Sequence, residues 1–467
     1  MSRLGWALGV AGATYLALAP LACGDVVARP IGAATDEEGG DVAASDSGAG
    51  LDGNGGKGDA DGSDFCSGQG PIPLPGTDQC TGDLAHLFRF AACACDSLAV
   101  SGILATDSFD STTDGGAGGS AASIAANGEV ATNAQASVAG SVWAGGQGLS
   151  GGTPAVSISS PGGVTSTIAL DIESGGDVDV SGTFLVGGAV YADGNVILDA
   201  GSLSVVGSVD VPAGDSASGV TAGGGVTHGP VQITPPCDCS SPMPIATFVA
   251  AHATANDDVL IGLTTSGLDD PPSTVTLPCG QYYVDGIQGG SVTIDVTGRV
   301  ALFVDGDMKV DQGLTVALAP GAELDLFVAG NVELQTGVSL GDSNSPARVR
   351  LYVGGTTFTL SANAPEVGAN IYAPNADVQF SSDFTMWGAI FAQSLQFSGN
   401  FSIHYDTSVL ATPGCTPPGT SCTTCDDCSG STPACKSGTC SACTSTADCC
   451  APLECDPGTG RCQLPLE

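Results

Sequence analysis

The sequence predicts an all-β protein whose body is a parallel β-helix, or β-solenoid, and three observations predict it. Glycine supplies 70 of 467 residues, while aromatics make up 5% and charged residues 13%. Such a chain is poor in strong helix formers and rich in turn formers and β-branched residues. Glycines at 176, 182, 188, 194, 201 and 207 recur every six residues with one interval of seven, and each precedes an apolar residue: Val178, Phe184, Val190, Val196, Leu203 and Val209. Later, ALFVDGD at 301–307 and LDLFVAGN at 324–331 repeat one pattern, as do NIYAPNA at 370–376 and GAIFAQS at 388–394. A turn former followed by a short apolar strand, about three times per coil, winds a chain into stacked rungs with glycines at the corners. The competing arrangement is an antiparallel sandwich of short strands, whose hairpin loops have little room at single-glycine corners.

The chain opens on residues 1–22, where only Arg3 precedes a long apolar run that Pro20 ends just before the small residue Ala22. This is the pattern of an export signal, and the early proline without a basic stop argues against a retained span. Leu21-Ala22-Cys23 resembles the lipobox of bacterial lipoproteins, which implies lipidation of Cys23 as the new N-terminus; Pro20 stands where that signal usually carries Leu. Cleavage after Ala17-Leu18-Ala19 is the alternative and would give a secreted protein, although Pro20 just after the cut is a poor substrate. Residues 23–64 then hold ten acids between 24 and 64 and almost no large apolar side chain. Nothing there offsets the entropy of ordering, so a self-repelling tether is expected.

Residues 65–110 read as a short helical cap, because apolar residues at 84, 87, 88, 91 and 92 follow helical spacing with Thr81 or Asp83 as N-cap. Cys66, Cys80, Cys93 and Cys95 surround it and would pin it through disulfides; Cys93-Ala-Cys95 lacks the two-residue spacer of a redox motif. Residues 111–233 form the first solenoid half and 234–257 a Pro/Cys joint with Cys237 and Cys239 bridging elsewhere. Residues 258–412, with Cys279, form the second half in larger coils.

Residues 413–467 hold Cys415, Cys422, Cys425, Cys428, Cys435, Cys440, Cys443, Cys449, Cys450, Cys455 and Cys462, a density that marks a small disulfide-rich module. Of the 19 cysteines, 18 remain once Cys23 is set aside. Seven lie in the body and 11 in the tail. Both counts are odd, so Cys415 is expected to pair back into the body. CTSTADCCAPLECDPGTGRC resembles the adjacent-cysteine modules of the Dickkopf, colipase and knottin kind, which implies a stapled module in which binding is a frequent role.

LPCGQYYV, GRVALFVDGD, AELDLFVAGN, PARVRLYVGG, NIYAPNA and the closing IHYD resemble a domain of unknown function found in myxobacterial surface lipoproteins and in some pilus-assembly proteins. The resemblance covers roughly residues 65–412 and implies export and a β-helical body. It implies no reaction.

With 10 Lys+Arg against 49 Asp+Glu and a net charge of −39, the chain is repelled by phosphate backbones and anionic bilayer faces, so no nucleic-acid partner is expected. CTTCDDC has the spacing of a zinc or iron–sulfur site, but exported thiols oxidise and no histidine follows His404. Gly146-Gln-Gly-Leu-Ser-Gly151 and Gly148-Leu-Ser-Gly-Gly152 fit a dinucleotide fingerprint and a nucleophile elbow, patterns expected by chance at this glycine density. Among His86, His228, His252 and His404, the triplet His404-Tyr405-Asp406 could seat a general base but reads as a cap on the last coil. Asp305-Gly-Asp307 with Asp311 lacks EF-hand spacing; no cofactor is expected, and calcium is the one to test.

The expected function is a cell-envelope lipoprotein of the outer membrane or cell surface, with a structural or adhesive role and no enzymatic activity. The membrane is reached through the lipid, and an envelope protein or polysaccharide is the expected partner. Rivals are a carbohydrate hydrolase or lyase with paired carboxylates in a β-helix groove, and an ice-binding-like surface built on Thr-x-Thr arrays, of which TSTI and TTFT are isolated examples.

Overall fold

The computed structural model describes residues 65–66, 72, 87–113, 119, 121–150, 153–269, 273–362 and 365–411, and in the tail 434–436, 439–441, 443–445, 454–456 and 461–463. All lie in the unit Gly58–Glu467. The signal, Cys23 and the tether fall outside the described residues.

Strands β1 (Ala92–Ala94) to β32 (Phe401–Asp406) join in one 32-stranded system, and every pairing between its named strands is parallel. Its parallel ladders run as three faces around a narrow core. The hexads predicted from the glycines fall on successive faces: Val190 and Val209 on the first, Val178 and Val196 on the second, Phe184 and Leu203 on the third. All six are buried. Three hexads therefore close one rung, and Ile172, Val190, Val209 and Val226 stack at intervals of 17 to 19 residues. Corners between the second and third faces need glycine where strands run through them. Gly182 and Gly201 sit at φ 123° and 101°, and a Cβ on either would overlap the carbonyl of the rung above, so only a residue without a side chain lets the rungs close up.

The order of stacking departs from chain order. One inward column on the first face reads Leu302, Leu326, Leu351, Ile371, Ile390, Ala92, Ile124, Val142, Ile172, Val190 and Val209. The chain thus starts in the middle of the stack, winds outward to Val226–His228, returns along the outside, and winds from Ser273 back until its last rung lies on its first. At that junction Ile390 donates to the Ala91 carbonyl (2.9 Å), Ser101 to Phe397 (2.8 Å) and Phe401 to Ile103 (2.7 Å). Tyr405 adds a 2.6 Å hydrogen bond to the Phe88 carbonyl.

The segment expected as a helical cap is corrected by this topology. Residues 84–86 lie outside the described residues and Leu87 is helical, but from Ala92 onward β1, β2 (Ser97–Val100) and β3 (Leu104–Phe109) form a rung inside the stack. Within residues 92–109 the expected cap gives way to tertiary context, since these strands find a ladder on both sides, against β31 (Ile390–Phe397) and β32 on one and against 124–138 on the other. The reading of His404-Tyr405-Asp406 as a cap on the last coil is corrected for the same reason. Strand β32 is paired on both edges.

The joint at 234–257 is a strap. It begins with bonds from Cys237 to Cys93 and Cys239 to Cys95, passes Tyr372, whose hydroxyl accepts from the Met243 amide at 3.3 Å, and continues as helix α1 (Ile245–Ala251). Phe248 packs against Phe303 and Phe327 at 5.4 and 4.8 Å, and His252 stacks on Phe303 at 3.8 Å. Helix α2 (Asp258–Ile261) follows, where the Asp257 and Asp258 carboxylates accept from the Gln281 and Tyr283 amides of the terminal rung. A third bond, Cys66–Cys279, ties the N-terminal chain to that rung.

Candidate functional site

The three outer faces differ in chemistry. On the first, the outward column Tyr283, Phe303, Phe327, Tyr352, Tyr372, Phe391 and Cys93 runs through successive rungs. The strap covers it, and all seven are buried. Beside that column Asp325 and Arg350 face each other across neighbouring strands; the guanidinium holds Asp325 at 2.5 and 3.2 Å and Glu323 at 2.9 Å. Burial pushes the Asp325 carboxyl up, and the charge of Arg350 opposes it. This pair is sealed and meets no solvent.

The second face is mixed. It carries Gln288, Lys309, Glu333, Thr359 and Gln379 in one half and Ser157, Asp179 and Ile197 in the other, with an exposed Lys309–Glu333 ion pair at 3.0 Å.

The third face repeats one functional group. Its outward column begins Thr274, Thr293, Thr315 and Ser339, meets Glu366, and resumes with Thr385 and Ser402. Past the junction it reads Ala105, Ser137, Thr167, Leu185, Ser204 and Thr221. None of these side chains is buried. In the short-rung half a second column, Thr165, Thr183 and Ser202, stands two residues away. Strand geometry sets a grid of about 4.8 Å along the stack and about 6.7 Å along each strand. Neighbouring hydroxyls already touch, Ser137 to Thr167 at 3.4 Å. Such a surface offers donors and acceptors in register with no charge between 105 and 221 in that column, which suits a neutral, repeating partner.

Half-exposed titratable groups lie nearby or opposite. His404 Nδ1 sits 2.7 Å from Asp107 Oδ1 and its ring stacks on Trp387 at 5.2 Å. Asp406 is occupied elsewhere, accepting from the Ser111 amide and hydroxyl and the Ser408 amide, so the triplet does not converge on one point. On the first face Glu173 lies next to Trp143 in the column. Burial, then the charge of Asp171, pushes it up to about 7, against the pull of Arg89. Arg89 stands over Phe90 and Trp143 at 4.7 and 5.5 Å.

The remaining sequence candidates are dispersed. A cavity of about 220 Å³ touches both glycine motifs, lined by Gly146, Leu149, Ser150, Thr153 and the Gly175–Asp177 turn with Asp193. Asp177 is engaged there with the Asn195 amide at 2.6 Å, and the element that follows Ser150 is a strand, Val156–Ser159, not the helix an elbow requires. Asp305 and Asp307 occupy a turn between strands, where Asp307 accepts from the Asn331 amide. His228 ends the last exposed strand, His252 belongs to the strap, and His86 lies outside the described residues. Among the described residues no three His, Cys, Asp or Glu side chains gather as a metal-holding group.

Among the described cysteines, Cys66, Cys93, Cys95, Cys237, Cys239 and Cys279 form three bonds in the body, and Cys443 pairs with Cys455 in the tail. The backbone of Cys435 faces Cys440 and that of Cys455 faces Cys462 in two small antiparallel hairpins. Cys80, Cys415, Cys422, Cys425, Cys428, Cys449 and Cys450 lie outside the described residues, as does the expected bond from Cys415 to the body. Sequence reading missed the hydroxyl columns because their members stand a rung apart rather than at i and i+2. The outward positions of the hexads were the available signal.

No curated protein and no solved structure matches the chain. Residues 240–412, the strap beyond Cys239 and the large-rung half, match the family described as a domain of unknown function, DUF7305.

Proposed function

We propose that the protein is a non-catalytic surface element of the cell envelope, exported and held by a lipid on Cys23. Its stiff solenoid presents a hydroxyl-lined face and a cysteine-rich module to an envelope polysaccharide or protein. The observation that supports this reading is the third face. A column made mostly of Ser and Thr crosses the stack, broken by Glu366, Ala105 and Leu185, while Asp325 and Arg350 are sealed and His404 and Asp107 are paired one to one. The parallel ladders give the body the rigidity of a rod. Its relation to myxobacterial surface lipoproteins and the knottin-like character of the tail belong to this proposal.

The test uses purified envelope polysaccharide and the protein beginning at residue 24. Co-sedimentation is expected, and the triple variant Ser137→Lys, Thr167→Lys, Ser204→Lys should lose at least tenfold in binding without unfolding. Equal binding by the variant overturns the role of the face. Mass spectrometry of the native N-terminus should find an acylated Cys23; an unmodified chain starting elsewhere removes the anchor. The same paired columns favour a second reading, an ice-binding-like surface, which predicts thermal hysteresis that the triple variant abolishes.

A further inference from the structure

The junction between the last rung and the first joins segments about as far apart in the chain as the body allows, and it is made of the same parallel ladders as every covalently continuous rung. Nothing in those ladders distinguishes a first rung belonging to the same chain from that of a second copy. What distinguishes them is the covalent framework, made of the strap and of Cys66–Cys279, which ties the N-terminal chain to the terminal rung of the opposite half. One end of the strap is bonded to the first rung through Cys93 and Cys95, and the buried Asn127 side chain clamps it by accepting from the Cys237 amide and donating to its carbonyl, at 2.8 and 2.9 Å. The other end grips the opposite half through Phe248 on Phe303 and Phe327.

We infer that the junction is an interface that fits a second copy of this chain, and that the two strap disulfides together with Cys66–Cys279 commit it to closure within one molecule. Without them, residues 229–257 become a hinge, and the large-rung half of one copy stacks on the first rung of another, exchanging identical elements with no new contact required. The occupant is a second copy because the complementary surface is already present in every molecule, as the far side of the same junction.

The experiment compares the full mature chain with a variant in which Cys66, Cys93, Cys95, Cys237, Cys239 and Cys279 are all serine, by light scattering after size separation and by amide hydrogen exchange. The wild-type protein should stay monomeric. The six-serine protein should form a dimer whose fraction rises with concentration, with the Cys95→Ser, Asp96, Ser101 and Ile390 amides still protected in the dimer. Adding Gly102→Val should abolish that dimer, because a Cβ at Gly102 would lie 2.5 Å from the Gly399 carbonyl carbon and oxygen and so blocks the junction within or between chains alike. A six-serine protein that is monomeric at every concentration with wild-type protection overturns the inference, as does a dimer that survives Gly102→Val. Should the six-serine chain not fold, the folded wild-type protein is reduced and alkylated at these cysteines and read in the same two ways.

Discussion

The two halves of the solenoid solve one problem with different materials. From Ile124 to His228 most rungs are short and filled by valine, isoleucine and alanine, and the last strand, Val226–His228, is exposed throughout. From Ser273 to Asp406 two rungs lengthen, Val300, Leu324 and Val349 standing 24 and 25 residues apart, while the others on the first face span 19 or 20. Aromatics pack both inside, where Phe397 stacks on Phe401 at 3.8 Å, and outside, where Phe327 stacks on Tyr352 at 4.4 Å. Burying both faces of a strand requires a second layer, and the strap supplies it. The terminal rung shows the same contrast. Asp257, Asp258 and the Thr265 and Leu268 carbonyls satisfy its edge amides at one end, a protection against edge pairing that Val226–His228 lacks among the described residues.

The largest effect that would sharpen this contrast is expected at Arg350. Replacing it by methionine leaves the buried Asp325 carboxylate without its partner, which costs about 3–5 kcal/mol, and the melting transition should show it directly. Replacing Asp325 by leucine in the same chain should recover most of the loss, since a well-packed apolar pair is often as stable as a buried ion pair. No recovery would mean that the pair specifies strand register rather than merely satisfying charge.

Next comes the comparison of cores. Phe327→Ala should cost about 3–5 kcal/mol, as truncation of a buried aromatic does, whereas Val190→Ala in the short-rung half should cost nearer 1–2 kcal/mol. Because repeat folds couple chiefly to neighbouring rungs, hydrogen exchange should localise each loss to its own half. Equal, global loss in both variants would show that the junction makes one cooperative unit of the stack.

How much of this was legible beforehand follows the same division. The short-rung half advertised itself, because Gly182 and Gly201 must be glycine and Val178, Phe184 and Val190 must be apolar, so period and class could be read from spacing alone. The large-rung half was readable as strands, yet Phe303, Phe327 and Tyr352 look inward in sequence and face outward in space; only the strap explains their burial, and Phe248 gives no local sign of its partners. The junction left no trace, since Ile390 and Ala92 are neighbours only through topology. That is also why the expected cap did not foretell the strands of 92–109. The acids and hydroxyls of the third face were individually visible, but a column is a property of register.

Disulfide mapping tests whether the covalent framework respects the halves. Six of the seven body cysteines are joined to one another, so if Cys415 reaches back to the body, Cys80 is the expected partner. A peptide joining Cys80 to Cys415 supports this; Cys415 joined to any cysteine from 422 to 462 refutes it.

A smaller effect separates the halves by pH. Glu173, in the short-rung half, holds its proton up to about pH 7 rather than the ordinary 4.5 because burial disfavours its charge. A carboxyl whose folded pKa is raised contributes stability that is present below pH 4.5 and lost as pH rises through 7. Glu173→Gln should therefore flatten the stability profile between those values and gain on the order of 1 kcal/mol above pH 7, after discounting for partial solvent exposure. A profile unchanged by the substitution would place the titration elsewhere.

The smallest effect belongs to the second face. Lys309 and Glu333 form an ion pair in the large-rung half at 3.0 Å, close to the length of the Arg350 contacts, yet both side chains are nearly half exposed. Water and salt screen such a pair, and fixing two long side chains costs entropy that offsets the attraction. Lys309→Ala should leave the melting midpoint within the scatter of repeats at 0.15 M salt, while Arg350→Met in the same half, and on strands only one face away, should shift the folding equilibrium by roughly a hundredfold to several thousandfold. If the two substitutions were alike, burial under the strap could not be what gives the first face its strength.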